Sequence, residues 1–492
     1  MILPVLMLAL PLGVAFSFPL LGKLSVRLVK VLTVLVLTAG TGMAAWLLAG
    51  LGSQPLLVIM GGWAPPFGIH LHLDHLSLLF ALVASFLSLG AALFQTARGQ
   101  EKKPAFYMLW LLWYVGVLGI LFTGDLFNLF VFIEIAGISS YSLIASGNGR
   151  MGVRGAVRVL VLGTVASVLF LVGVAFIYRS LGTLNIAAVA AGFHTLKPAV
   201  AAFAALSLLA PLLFEAEIFP FNAWVPDAYR GAPSAVGALL SGGMALAGVY
   251  ALLRISGTML AGGQGLVLSK ALFVLGVITV LVGELSALAA KDAKKLLGFS
   301  SVGQMGLVVV AFSLGTDTAI YAGLFIAISH GLVKLLLFAV VGVLVSGTKT
   351  SRWKDWVGLG RRHPLLGVLF IVGSLGLIGV PLFSGFWGKF AVVGEAARAG
   401  DFYLLGLYVV LGATVVEAAT FFRLAHRLFE PAQEGVEPVR LRGGLAFWSL
   451  ALVSSCLIVL LGVWPSLLDK TLAKIPGQLG QAYVSSVAKV GR

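Results

Sequence analysis

Cysteine is almost missing: the 492 residues include one, Cys456, standing in an apolar run. A lone thiol builds no disulfide framework, no zinc cage and no iron–sulfur site. Charge is scarce as well, at 10% of residues, against about a quarter in average soluble domains. That scarcity excludes a soluble enzyme and a disordered chain. It also excludes a nucleic-acid-binding protein, which needs a clustered basic face on a soluble module. No Walker or dinucleotide pattern follows a strand, so ATP, NAD and other cofactors are not expected in this chain. The longest connections, 51–72, 179–198, 346–364 and 426–443, are too short to fold as domains. What is plentiful is apolar: 60% of residues are hydrophobic, 61 are glycine, and mean hydropathy is +1.07. This is the composition of an all-α polytopic membrane protein.

Segments of roughly 20 apolar residues can cross a hydrocarbon core about 30 Å thick. Fourteen are predicted, at 2–21, 28–50, 73–96, 105–122, 124–146, 157–178, 199–221, 233–254, 268–290, 298–315, 318–345, 365–394, 402–425 and 444–468. The first lacks a basic start and a small-residue cleavage site, so it reads as a span and not as a signal peptide. The tenth is interrupted by Ser300, Ser301 and Gln304. Lys and Arg concentrate on alternate connections. Those at 22–30, 97–104, 150–158, 222–232, 291–297, 346–364 and 423–443 carry 22 of the 33. By the positive-inside rule these face the cytoplasm, which places both termini outside. The net charge of +15 is then this asymmetry plus a basic tail.

Two cations fall outside both sets of connections, Lys334 in span 11 and Lys389 in span 12. They join Glu134 in span 5, Glu215 and Glu217 in span 7, Glu284 in span 9, His330 in span 11 and Glu417 in span 13. A charge at mid-bilayer costs at least about 2.5–3.5 kcal/mol, so such residues mark function by default. Scattered one or two per span, they suit a lateral relay of protonatable groups; the competing reading is that Glu–Lys pairs only hold helices together. His330 and Lys334, four apart, share a helix face. Glu215 and Glu217 lie about 200° apart on an intact helix and cannot face one partner. Pro211 and Pro220 bracket them and predict a broken span 7; Gly379, Pro381 and Gly385 predict the same for span 12. Breaks at corresponding places five spans apart point to inverted repeats with sites at the breaks. The resulting division is three N-terminal spans in 1–104, repeats in 105–256 and 265–428, and a C-terminal helix with a basic tail in 429–492. The run His70-Leu-His-Leu-Asp-His75 has metal-like spacing but stands at the start of span 3, where it reads as an interfacial polar cap. No metal site is assigned.

Several stretches are familiar in order and content: Asp74-His-Leu-Ser-Leu-Leu-Phe, Gly124-Asp-Leu-Phe-Asn-Leu-Phe-Val-Phe-Ile-Glu134, and Phe219-Pro-Phe-Asn-Ala-Trp-Val-Pro-Asp-Ala-Tyr229. So are Lys294-Lys-Leu-Leu-Gly-Phe-Ser-Ser301, His330-Gly-Leu-Val-Lys334 and Gly379-Val-Pro-Leu-Phe-Ser-Gly-Phe-Trp-Gly-Lys389. Across spans 3 to 13 the chain resembles the antiporter-like subunits of respiratory complex I and, more closely, the D-type subunit of Mrp sodium/proton antiporters. It also resembles their counterparts in membrane-bound hydrogenase and sulfane reductase complexes.

The resemblance implies fourteen helices, two inverted five-helix repeats and broken seventh and twelfth spans. It further implies proton translocation, in some members coupled to sodium, inside a hetero-oligomeric complex of a prokaryotic cytoplasmic membrane. No catalytic centre is implied for the chain itself, although its complex could be a redox-driven oxidoreductase. The family's span-5 glutamate falls on Glu134, its span-11 histidine and lysine on His330 and Lys334, and its span-12 lysine on Lys389. Two positions depart. The family's span-7 lysine falls on Glu215 and its span-8 lysine near Leu246. The first half then holds Glu134 beside Glu215 with no lysine, and two such carboxylates either share a proton or hold a cation. In this reading Glu134 and Glu215 form the uptake pair, His330 and Lys334 the middle, and Lys389 the exit. The alternative is a bridging subunit whose first half does not conduct.

Overall fold

The computed structural model describes residues 2–63, 65, 68–97, 103–147, 149–259, 265–431, 441, 443–479 and 481–488. Within them, thirteen helices are long and apolar enough to cross a membrane. A further pass is split into the half-helices Pro364–Ile378 and Gly385–Arg398, so the predicted span 12 brings the passes to fourteen. The chain is an all-α multi-pass membrane protein.

Burial sorts the spans into two classes. The apolar windows of spans 8 (Ser234–Gly257), 10 (Ala293–Ser313) and 11 (Asp317–Thr348) are 100%, 94% and 100% buried. Those of spans 1 (Ile2–Leu24), 2 (Val26–Gly50) and 6 (Gly149–Leu181) are only 22–28% buried and present Leu, Val and Phe outward. Lipid is as apolar as those side chains, so such exposure costs nothing in a bilayer. Close packing at the centre comes from glycine. A Cβ on Gly242 would lie 3.0 Å from Leu87 and 3.4 Å from the carbonyl of Gly331, where spans 8 and 11 cross. One on Gly283 would lie 2.3 Å from the backbone nitrogen of Gly303, which brings spans 9 (Gly265–Ala289) and 10 together.

Helix starts follow short polar side chains that satisfy free backbone N–H groups. Asp125 accepts from Asn128 N at 2.9 Å to open span 5 (Leu126–Ala145), and Asp292 accepts from Lys294 N and Lys295 N to open span 10. Span 7 begins as Pro198–Glu215, unwinds over Ala216–Pro220, and resumes through a 3-10 turn into Val225–Gly231. Here the sequence expectation needs correction at one residue: Pro211 sits inside the first half-helix, and the break falls after Glu215, at Ala216–Pro220. Ser300, Ser301 and Gln304 likewise leave span 10 continuous, because all three are buried against polar partners.

The connection before span 3 (His75–Ala97) holds a small antiparallel hairpin, Leu56–Ile59 against His70–Leu73, with Ile59 opposite His70. The His-rich run is therefore extended over His70–Leu73, enters the helix at His75, and is buried throughout. Asp74 caps span 3, accepting from Ser77 N at 2.9 Å, and takes Arg254 from span 8 at 2.6 Å in an ion pair shielded from solvent. Arg254, the last residue of the predicted span 8, is thus buried. The C-terminal segment folds over this cluster: the Tyr483 ring meets His72 at a tilt, centroids 4.5 Å apart, and lies 4.8 Å from the Arg254 guanidinium, and Gln478 accepts from His75 N at 3.1 Å. Burial pushes the imidazole of His70 from its ordinary 6.5 down to about 4, and that of His72 to about 3. Elsewhere Arg154, Arg158 and Lys295 surround Asp227, and Arg230 pairs with Asp292, which draws three basic connections together.

Candidate functional site

The break in span 7 separates its two carboxylates. Glu215 ends the first half-helix and lines a cavity with Glu134 of span 5. Two residues on, Glu217 adopts φ 62°, a left-handed backbone that turns it away from Glu215, and it is fully buried. Its carboxylate accepts from the Tyr229 hydroxyl, supplied by the second half of the same span. The freed backbone groups are not left bare. The Ala216 and Ile218 N–H groups return to Leu212 O and Leu213 O, and Phe219 N donates to Thr279 Oγ1 of span 9 at 3.1 Å. Gly248 lets span 8 pack against the break, since a Cβ there would meet Ala216 N at 2.5 Å.

From Tyr229 the polar row enters span 8. Residues Leu240–Met244 form a π-helical turn, an irregularity frequent at functional sites. The turn carries Ser241, whose hydroxyl pairs with that of Ser301 from span 10. Both hydroxyls lie 3.1 Å from His330 Nε2 of span 11. The Glu217–Tyr229 pair lies beside the Ser241–Ser301–His330 trio, within electrostatic reach of its hydroxyls. One turn along span 11, Lys334 donates to Leu297 O at 2.7 Å and to Ser300 Oγ.

Span 12 supplies the last cation. Its first half ends at Gly379, with φ 84°, and leaves carbonyls without helical donors. Lys389 Nζ, from the second half, donates to Leu377 O at 2.8 Å and Ile378 O at 3.2 Å, placing a cation on the negative end of a helix. The same ammonium meets Glu417 Oε2 of span 13 at 2.8 Å, and Gln304 Nε2 donates to Glu417 Oε1 at 2.7 Å. Glu284 of span 9 lies within electrostatic reach of Glu417, Lys389 and Lys334. Glycine at 303 makes room for it: a Cβ there would fall 2.0 Å from Glu284 Oε1.

All eight sequence-selected ionisable residues therefore lie along one lateral row from span 5 to span 13. Residues that carry the row between them were not selected: Ser167, which donates to Glu134, and Tyr229, Ser241, Ser300, Ser301 and Gln304. A signal for three of these was present, since Ser300, Ser301 and Gln304 interrupt an apolar span, and polar residues at that depth need partners. The buried ion pair Asp74–Arg254 and the buried Lys294, which donates to Ala232 O at 2.6 Å, were also missed.

Fourteen passes, two of them broken against a buried row of Glu, Lys and His, define an antiporter-like membrane protein. The chain belongs to the NADH:quinone oxidoreductase/Mrp antiporter transmembrane family, whose pattern spans residues 123–415. It is 33% identical over 452 residues to NADH-quinone oxidoreductase subunit N of Desulforudis audaxviator, covering 89% of each chain. It is 32% identical over 356 residues to the D-type subunit of the Na(+)/H(+) antiporter of Alkalihalophilus pseudofirmus, covering 72% of each. Among solved structures, a chain of the membrane-bound sulfane sulfur reductase, an archaeal respiratory membrane complex, superposes with TM-score 0.92 at 36% identity, over 98% of this chain and 99% of that one.

Proposed function

We propose that this chain is the transport subunit of a larger membrane complex and passes protons along the buried row. Glu134 and Glu215 take them up, Glu217, Tyr229, His330 and Lys334 carry them through the centre, and Lys389 with Glu284 and Glu417 releases them or hands them to a neighbouring subunit. Residues 105–256 and 265–428 are the two half-channels, each broken once. The observation that carries the reading is the alignment of the row: the Glu217–Tyr229 pair lies beside the bonded trio Ser241, Ser301 and His330, and His330 stands four residues before Lys334. Structure of this kind is expensive in a bilayer and a poor source of stability. The names of the relatives support it, one being an Na(+)/H(+) antiporter subunit and another a respiratory membrane complex. Their assembly supports other membrane subunits as partners, and the basic connections support a prokaryotic cytoplasmic membrane with both termini outside.

The test is proton uptake into vesicles carrying the assembled complex with Glu134→Gln or Lys389→Ala. Transport is expected to fall at least about tenfold in each, as for loss of one essential proton carrier. Full transport in both with assembly intact would overturn the relay. One observation favours a second reading, a bridging subunit with an idle first half: Glu215 stands where the family resemblance implies lysine. That reading expects Glu134→Gln to be silent and Lys389→Ala not to be. Purifying the complex in mild detergent and assaying it for nickel and iron–sulfur identifies the machine: metal means redox-driven pumping, none means a gradient-driven antiporter.

A further inference from the structure

On the side where the connections are basic, the ends of spans 9 and 10 and the connection 346–364 enclose an open cavity of about 770 Å³. Five of its lining residues are cations, Arg230, Lys291, Lys295, Arg352 and Lys354, and two are carboxylates. Both carboxylates are already engaged. Asp292 accepts from Lys294 N, Lys295 N and the Ser351 hydroxyl, and meets Arg230 Nε at 3.3 Å. Asp355 accepts from Thr350 Oγ1 at 3.0 Å. Lys295 turns to Asp227, 3.4 Å away. Lys291, Arg352 and Lys354 are exposed and form no ion pair among the described residues. The frame that holds them is tied together. Ala293 N donates to Ser351 O at 2.8 Å, Asp292 and Arg352 pair in an antiparallel bridge, and Trp353 Nε1 donates to Ala290 O at 2.9 Å. A cleft lined by one sign of charge focuses its field and draws the opposite ion. The positive end of the helix that opens span 10 adds to that field. The rest of the wall is apolar, chiefly Ala289, Ala290 and Phe299. One turn back from Ala289 along span 9, Leu285 is exposed, so the apolar surface continues from the pocket onto the lipid-facing side.

We propose that this pocket binds a phosphate ester, the headgroup of an anionic phospholipid. Lys291, Arg352 and Lys354 meet the phosphate oxygens, and an acyl chain leaves along Ala289 and Leu285. Arginine carries paired donors in the geometry that a phosphate presents, and basic pockets at the ends of membrane helices suit such headgroups. The volume far exceeds the roughly 10–15 Å³ that one water needs, so a glycerol headgroup fits beside its phosphate. A filled pocket ties Arg230, at the end of span 7, to the connections that precede span 10 and follow span 11. None of its lining residues belongs to the buried row, so the site stands whether or not the relay does.

The experiment places the full-length chain in phosphatidylcholine nanodiscs with and without a minor fraction of phosphatidylglycerol. Retained lipids are counted by native mass spectrometry, and the unfolding temperature is followed in parallel. One phosphatidylglycerol per chain is expected above the phosphatidylcholine background, with a higher unfolding temperature. Lys291→Gln, Arg352→Gln and Lys354→Gln should each weaken retention about fivefold, the effect of one interfacial cation, and all three together about a hundredfold. Arg150→Gln, on another basic connection and outside the pocket, should leave retention unchanged. Should the triple variant fail to fold, the single variants carry the test. Retention that ignores the three pocket cations, or falls equally in Arg150→Gln, means diffuse attraction to a basic face and overturns the site. A second arm adds inorganic phosphate to the phosphatidylcholine nanodiscs. If phosphate raises the unfolding temperature through the same three residues while phosphatidylglycerol does not, the occupant is a soluble phosphate compound and the lipid is wrong. No response to either overturns the pocket as an anion site.

Discussion

Between residues 265 and 428 both lysines of the row, Lys334 and Lys389, have lodging. Lys389 is held by two helix-end carbonyls and Glu417, Lys334 by a carbonyl and a serine, and Glu284 sits within reach of both. Between residues 105 and 256 the corresponding break presents Glu215 to Glu134 across a cavity, with hydroxyls and no cation. The backbone devices are alike: a half-helix ends, the chain turns through a left-handed residue, and a second half resumes. The chemistry differs because one half brings its positive charge on the chain and the other does not. An internal lysine brings its own counter-charge, which is lost only by deprotonation. Two neighbouring acids without such a lysine cannot both ionise cheaply, so that half needs a shared proton or charge from elsewhere.

The largest expected effect comes from removing the internal charge. Lys389→Ala strands the Glu417 carboxylate in the membrane, and breaking a buried pair costs about 3–5 kcal/mol, so both transport and thermal stability should drop. Lys389→Leu with Glu417→Leu separates the two: the complex is expected to assemble near normally while proton uptake in vesicles stays at background. Recovery of uptake in the double variant would erase the contrast between the halves. Gly303→Ala tests the room made for Glu284, because the added methyl collides with its carboxylate. A stability loss of about 1–3 kcal/mol is expected from such overpacking, together with slower uptake, read by thermal unfolding and vesicle assay on the same preparation.

Smaller effects sharpen the link between the halves. Ser241→Ala removes one of the two hydroxyls on His330. A net hydrogen bond is worth about 1 kcal/mol, so uptake should slow several-fold without loss of assembly; unchanged uptake would place the connection elsewhere. Outside both halves, His70 and His72 are held neutral by burial. The unfolded chain binds protons near pH 6.5 that the folded chain refuses until about 4 or 3, so stability is full above 6.5 and lost as pH falls through that window. The unfolding temperature should decline from pH 7 to pH 5, and His72→Phe should flatten the slope. Acid loss of transport that follows this curve reports the His70–His72 cluster and not the relay.

Much of this was legible beforehand because a bilayer imposes simple rules. Lys334 and Lys389 stood out as the cations outside any connection, and Glu134, Glu284 and Glu417 as carboxylates in apolar segments. The breaks announced themselves through Pro220 and Pro381. Pro211 misled, since proline is tolerated in a membrane helix when neighbours satisfy the freed carbonyl. The pairing of Lys389 with Glu417 and the three-way meeting of Ser241, Ser301 and His330 were not readable: each joins residues from different spans, and no local period encodes such partners.

Length, hydropathy and the placing of ionisable residues were determined by the sequence alone, because the cost of a buried charge and the thickness of a membrane act on each segment separately. Which way each charge points was decided by the tertiary structure. Glu215 and Glu217 are two residues apart and serve different neighbourhoods, because the turn at Glu217 and the packing of Gly248 against the break set their directions. Arg254 became a buried partner of Asp74 only when span 8, the hairpin and the C-terminal helix closed over it. Direction and partnership depend on contacts between distant segments, which exist only once the helices have packed.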